Sequence, residues 1–286
     1  DVSVRANIEA TFKNFWEIGG FAGLNSKQDN YFAAQDFDNM PVFSRPKSFF
    51  MGAWIGTDNR KALYVNFEKG IWKMPEWSAH DHWHNASIRY RISNKLSINY
   101  NLSYMREYNS PGFVTSMTDE IRNDYNLVNK IVFGERNVKT TTNVIGVRYT
   151  FNNKMGLNLR VRHYWSTVDY SNFYELDAKG DLLPLSYDGF TAPQNSGEVP
   201  TPNHDENFNA FNIDLNYSWQ IAPGSFVTIN WKDAIFDAEN IVEESFSKNF
   251  NNTVSANQQN SFSVKITYFV DYLTLRNSTR KNRNSK

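Results

Sequence analysis

The chain has 286 residues with 30 basic and 30 acidic side chains, no cysteine, and aromatic residues making up 16% of the total. A formal charge of zero gives no global electrostatic reason to expect a nucleic-acid partner, and the absence of cysteine excludes disulfides, thiol catalysis and cysteine-based metal centres. The mean hydropathy of −0.60, with no apolar run near the roughly 18–20 residues a membrane helix needs, excludes a helical span but not a β span, whose alternation keeps hydropathy modest.

Apolar residues are spent on 22 Phe, 15 Tyr and 8 Trp, types that suit pleated surfaces and membrane interfaces. In chain order, period-two alternation predicts a strand over 2–16, with Val4, Ala6, Ile8, Ala10 and Phe12 on one face. A long connection over about 18–46 follows, then strands at 47–57 and 61–72, and a second long connection at 73–83. Strands at 84–92 and 96–107 carry Ile88, Tyr90, Ile98 and Tyr100 on their apolar faces, and less regular alternation marks 113–121 and 125–135. Strands at 140–151 and 155–167 lead to a long connection over 168–206. The hairpin at 207–232 alternates Phe211, Ile213, Leu215, Tyr217 and Trp219 against Asn212, Asp214, Asn216 and Ser218, breaking at Pro223-Gly224. After a connection over 237–260, a last strand spans 261–273, which brings the expected count to 12.

Short polar turns at 57–60, 93–95, 122–124, 152–154 and 222–225 fall on one side of this antiparallel succession, and the long connections fall on the other. A soluble sandwich has no reason to sort loop length by side, whereas outer-membrane barrels do. Tyr104, Tyr149, Trp165, Trp219, Trp231 and Tyr272 near strand ends suit headgroup belts. The expected fold is therefore all-β, an antiparallel transmembrane β-barrel of about 12 strands or part of a larger one, over 1–275, with a solvated basic tail at 276–286. The soluble alternative is a carbohydrate-binding β-sandwich. Asp1 opens the chain without a charged and apolar leader, so a signal peptide is expected to have been removed or the numbering to begin inside a longer protein.

Arg89, Arg91, Arg148, Arg160 and Arg162 fall on the polar face with Asp214, and Glu9 and Glu68 are further acids within reach. They would line a pore that favours anions, or pair from strand to strand and hold the wall in shape. His80, His82 and His84 share one face of an extended segment, the spacing at which imidazoles bind zinc, copper or nickel, with a polar strand edge as the plainer reading. Trp72, Trp77 and Trp83 are candidate stacking platforms for sugar rings, or interface anchors. Asp169, Glu175, Asp177, Asp181 and Asp188 lie in what reads as a loop and suggest solvated carboxylates. No nucleophile elbow, P-loop, dinucleotide fingerprint or H-E-x-x-H is present, so neither an enzyme nor a cofactor is expected.

The RHYW element at 162–165 lies within 160–185, and the PGS and WK elements lie within 207–232, ahead of the strand at 260–273. In this order and spacing they resemble the C-terminal barrel domain of Bacteroidota outer-membrane proteins, in which a family-9-type carbohydrate-binding domain precedes a long domain of unknown function. The resemblance covers 131–273 well and the first 130 residues loosely. It implies a bacterial outer-membrane location, lipid as a partner, and no catalytic residues. The function expected is passage or docking of envelope substrates such as glycans. The alternative is a non-conducting barrel subunit of a larger envelope complex, with protein partners at its loops.

Overall fold

Alternation builds strands, and the strands end where glycine, proline or asparagine interrupts it. The computed structural model describes residues 2–30, 42–191 and 200–272. β1 (Ser3–Thr11) turns through Phe15, at φ 62°, into β2 (Glu17–Asn25). β3 (Gln28–Asn30) and β4 (Phe43–Arg45) form a small hairpin of their own. β5 (Ser48–Gly56) and β6 (Leu63–Met74) follow, and a single 3₁₀ turn at Pro75–Trp77 leads into β7 (Ala79–Arg91). β8 (Leu96–Phe113), the short helix α1 (Asp119–Asp124), β9 (Val132–Asn152), β10 (Met155–Leu176) and the three-residue β11 (Leu182–Pro184) form the middle of the chain. β12 (Glu206–Ala222), β13 (Ser225–Glu239), α2 (Phe246–Ser255) and β14 (Gln258–Thr267) complete it.

The main sheet has 12 strands in the order β1-β2-β5-β6-β7-β8-β9-β10-β12-β13-β14, with β11 attached to β10 off this path. Every pairing in it is antiparallel. A sandwich needs a second full sheet, but the second sheet among the described residues is the three-residue hairpin β3–β4. β1 and β14 are the two edges, and among the described residues they do not pair with each other.

Several expectations are corrected. The stretch 2–16 is not one strand: it bends at 12–16, and the glycine-laden EIGGFAGLN taken for loop is β2. The long connection at 73–83 is a four-residue turn, because Trp72, Lys73, His80 and Asp81 keep alternating on either side of Pro75. The strands at 113–121 and 125–135 do not form, and the turn at 122–124 is α1, capped by Thr118, whose Oγ1 accepts from the Ile121 N–H. β8 and β9 instead run on to Phe113 and back from Val132, absorbing Asn109 at φ 51° in a bulge. Losing two expected strands and gaining β2 leaves 11 strands on the main path. The last strand stops at Thr267, so Tyr268 to Tyr272 lie beyond it. The basic tail at 276–286 lies outside the described residues.

Register places one apolar and one polar face. Ile98, Tyr100, Leu102 and Tyr104 of β8 pair with Val147, Ile145, Asn143 and Thr141 of β9, and Leu157, Leu159 and Val161 of β10 continue the apolar surface. Three to five such outward positions per strand form a belt, roughly 26 Å along a strand at 3.3 Å per residue. The next outward residues toward the long connections are Lys69, His84, Arg106, Asn143, His163 and Asp233, which end the belt with polarity. Nothing among the described residues covers the belt: Ile88 is 38% exposed and Ile145 43%.

The packed core lies beyond the belt, at the loop end. Val114, Met117, Leu127, Val132, Phe173 and Tyr187 form one cluster, and Phe43, Ile131, Phe133 and Leu176 form another. Phe173 pairs with Gly134, two residues from Val132 on the polar face of β9, so the first cluster lies over that face. The second lies on the opposite face, where β4 brings Phe43 within 5.1 Å of Phe133 and the Ser44 N–H donates to the Gly180 carbonyl. Helix α2 packs on the outward face of β12 and β13, where Asn249 exchanges hydrogen bonds of 2.7 and 3.0 Å with Asn209 and accepts from Asn207. Trp165, expected in a headgroup belt, is instead buried beside this helix, donating to Asn207 at 2.8 Å.

Candidate functional site

The polar face is where the sequence places its charged candidates, and strand register assembles them into one band. Arg89 pairs with Asn99, Asn99 with Gly146, Gly146 with Arg160, and Arg160 with Asp214. One row away toward the turn end, Arg148 lies between Ser97 and Asn158, while Arg162 lies opposite Asn212 on the loop side. Arg89, Asn99, Arg148, Asn158, Arg160 and Asp214 line a recess of about 430 Å³. The Arg91 guanidinium donates to the Lys61 carbonyl at 2.9 Å, and Arg89 donates to the Asn59 carbonyl, so both hold the 57–62 turn. Strand-to-strand pairing of these arginines with acids is not found among the described residues. Asp214 pairs with Lys232 at 3.7 Å, and Glu68 accepts from Trp83 and Asn85. Arg148 donates to Asn158 and the Arg162 guanidinium lies 5.7 Å from the Tyr164 ring, so the band's guanidinium groups are held without a carboxylate partner among the described residues.

A second surface adjoins it on the same face and was not read from the sequence. Phe50 lies over Gly23, Phe21 over Gly52, Trp54 over Gly19 and Trp83 over Gly70, each aromatic ring filling the space above a cross-strand glycine. Phe21 stacks on Trp83 with ring centroids 6.3 Å apart and 13° between planes, and tilts against Phe50 at 6.2 Å. Arg5 caps Phe21 at 4.8 Å, and the Trp83 indole donates to Glu68 at 2.8 Å. A recess of about 550 Å³ opens here, lined by Arg5, Glu9, Phe21, Trp54 and Glu68. Flat rings beside carboxylates and guanidinium groups suit a ligand with apolar C–H faces and peripheral hydroxyls.

The three candidate tryptophans separate. Trp72, with the Arg45 guanidinium 5.6 Å from its ring, and Trp83 share the polar face, turned away from the apolar belt. Trp77 stands in the 3₁₀ turn, 5.1 Å from Tyr174. The three histidines lie on the outward face of β7: His80 stacks on Tyr108 at 4.7 Å, and the His82 and His84 rings are 5.7 Å apart. Their cross-strand neighbours include Lys73, Arg106 and Lys69. Among the described residues no group of three or more His, Asp or Glu is arranged to hold a metal ion. Four of the five acids read as solvated are engaged: Asp169 accepts from Asn137, Glu175 pairs with Lys130 at 2.8 Å, and Asp177 and Asp188 accept backbone N–H groups in their turns.

At the loop end His204, 2% exposed, lies between the Ser116 hydroxyl at 2.8 Å from Nδ1 and the Tyr187 hydroxyl at 2.7 Å from Nε2. Burial pushes its pKa down to about 4 and that of Tyr187 up to about 12, so the imidazole is a neutral clamp rather than a base. At the turn end the Arg60 guanidinium, 2.9 Å away, holds Asp58 down to about 2.

An uninterrupted antiparallel sheet with one bare apolar belt and one polar, aromatic-studded face defines the class of this protein. A family described as a domain of unknown function (DUF5916) matches residues 1–279, and the chain belongs to that family. No curated protein matches it.

Proposed function

We propose that this chain forms wall of an outer-membrane β-barrel that docks or passes envelope substrates, with glycans as the substrate class and a Bacteroidota envelope protein as its setting. The observation that carries this reading is the belt: every strand of the main path contributes apolar outward residues over a similar height, bounded by polar positions. Its height along the strand, reduced by the tilt such strands take, is near the apolar band of membrane barrels. The uncovered face is also far larger than a soluble surface tolerates without a partner. On the other face, rings seated on glycines beside Arg5 and Glu68 suit stacking against sugars.

A second reading has its own support. The cluster of Val114, Met117, Leu127 and Tyr187 lies over the polar face at the loop end, where it would narrow a lumen. That favours a non-conducting barrel that docks ligands or partners over an open pore.

Fractionation tests the membrane assignment. Cells expressing the full-length protein should yield it only with detergent, as a band whose mobility changes on heating, and recovery in buffer alone would end the barrel reading. Planar-bilayer recording of the same sample then separates steady conductance, expected of passage, from silence, expected of docking.

A further inference from the structure

The three histidines of β7 belong to a larger group on the outward face of β6, β7 and β8, laid out in rows just past the apolar belt. Lys69, His84 and Tyr104 form the first row, Ile71, His82 and Arg106 the second, and Lys73, His80 and Tyr108 the third. The row beneath them, toward the turn end, is Phe67, Ala86 and Leu102, which belongs to the belt. The group therefore begins where apolar surface stops, at the loop end, and covers about 10 Å across the strands and about 13 Å along them.

Charge is sorted between the two faces here. β6, β7 and β8 contain three acids, Glu68, Asp81 and Glu107, and all of them fall on the polar face with Trp72 and Trp83. Lys69, Lys73 and Arg106 fall on the outward face, and among the described residues none of them has a carboxylate partner, Glu76 of the 3₁₀ turn included. The side-chain charges that act on His82 are those of His84, Arg106, His80 and Lys69, basic groups without exception. Lys69 and Lys73 are exposed, and the Arg106 guanidinium lies 4.9 Å from the Tyr108 ring. Lys139, opposite Arg106 on β9, is already paired with Glu244, so the uncompensated charge is confined to β6, β7 and β8.

A metal ion is the wrong occupant for such a group, because a divalent cation would meet the lysines and the arginine with no acid to offset them. A phosphate is the right one. Lysine and arginine neutralise it, and imidazole N–H groups donate to its remaining oxygens. Position decides where that phosphate comes from: a basic group at the rim of a lipid-facing belt, flanked by Tyr104 and Tyr108, lies at headgroup height. Resting on the membrane-barrel reading, we propose that Lys69, Lys73, Arg106, His80, His82 and His84 bind the phosphate of an anionic lipid headgroup in the leaflet at the loop end.

The test titrates the full-length protein, in mild detergent, with phosphatidic acid and counts bound lipid by native mass spectrometry. Replacing the outward cations together, Lys69→Gln with Lys73→Gln and Arg106→Gln, should weaken binding about tenfold or more. Lys61→Gln with Lys95→Gln and Lys154→Gln removes the same charge from the turn end and should change binding by less than about twofold. Equal losses in the two triple variants would reduce the effect to net charge and overturn the proposal, as would unchanged binding in the first. Displacement of the lipid by equimolar inorganic phosphate would assign the group to a soluble anion and overturn it too. The wild-type protein gives a second readout that no folding defect can reach. Phosphatidic acid should shield Lys69 and Lys73 from acetylation about fivefold more than phosphatidylcholine does, with Lys154 labelled equally in both, and equal labelling of all of them counts against the site. A protein that needs detergent yet shows no preference for phosphatidic acid loses the headgroup site and keeps the barrel, whereas recovery in buffer alone removes both.

Discussion

Gly70 lies under the Trp83 indole because a methyl group there would occupy the ring's own space, and the ring is held in turn by its hydrogen bond to Glu68. Gly70→Ala must therefore shift Trp83 off Glu68, at a cost of about 1–3 kcal/mol typical of overpacking. In a Trp83→Ala background the same substitution should cost far less. A double-mutant cycle read by thermal unfolding checks this, and strictly additive costs would show that the ring and the glycine are not coupled. This arrangement also explains what the sequence hid. Gly19, Gly20 and Gly23 made β2 look like loop, since glycine weakens strand propensity. Their role appears only when register sets Gly19 opposite Trp54 and Gly23 opposite Phe50. The arginine band was legible because alternation alone assigns Arg89, Arg148 and Arg160 to one face. The partners of those arginines were not, because pairing depends on which residue the neighbouring strand brings across.

At the scale of elements, the loop-end cap hangs on His204, which joins the segment after β8 through Ser116 to the segment after β10 through Tyr187. With its folded pKa near 4, below the ordinary value of 6.5, the stability it contributes is fully present above pH 6.5. That contribution falls as pH drops toward 4, because the unfolded chain takes up the proton first, and the loss is on the order of 3 kcal/mol. Protection factors at 114–127 and 185–190, referred to the intrinsic amide rate at each pH, should therefore drop between pH 6.5 and 4 while those of the β9 and β10 ladder hold, and His204→Gln should flatten that dependence. A pH profile unchanged by the substitution would assign the loosening to another group. The alternation in 113–121 and 125–135 is real but belongs to the cap: Ile121 and Tyr125 pack on the buried cluster from the α1 segment, where apolar spacing of four residues mimics a strand over so short a run.

For the whole molecule the two faces make opposite demands on the same substitution. Leu159→Arg places a charge in the middle of the belt and should cost about 2–4 kcal/mol of insertion stability if that face meets lipid. Asn216→Lys, on the polar face, should be tolerated. The heat-modifiable folded fraction in membranes measures both, and equal assembly of the two variants would remove lipid from the account of the belt. Strand lengths add a feature of shape: β1, β2 and β5 have nine residues each, β9 has 21 and β10 has 22, and β14 falls back to ten. The crest therefore rises at the seventh and eighth of the eleven strands on the path, nearer β14 than β1. On the proposed docking role, a ligand approaching the aromatic surface of β1 to β7 would meet a low sill in front of it and a tall screen of β8 to β10 behind, so the entrance would be oblique and long or branched chains would enter from the side where the wall is shortest.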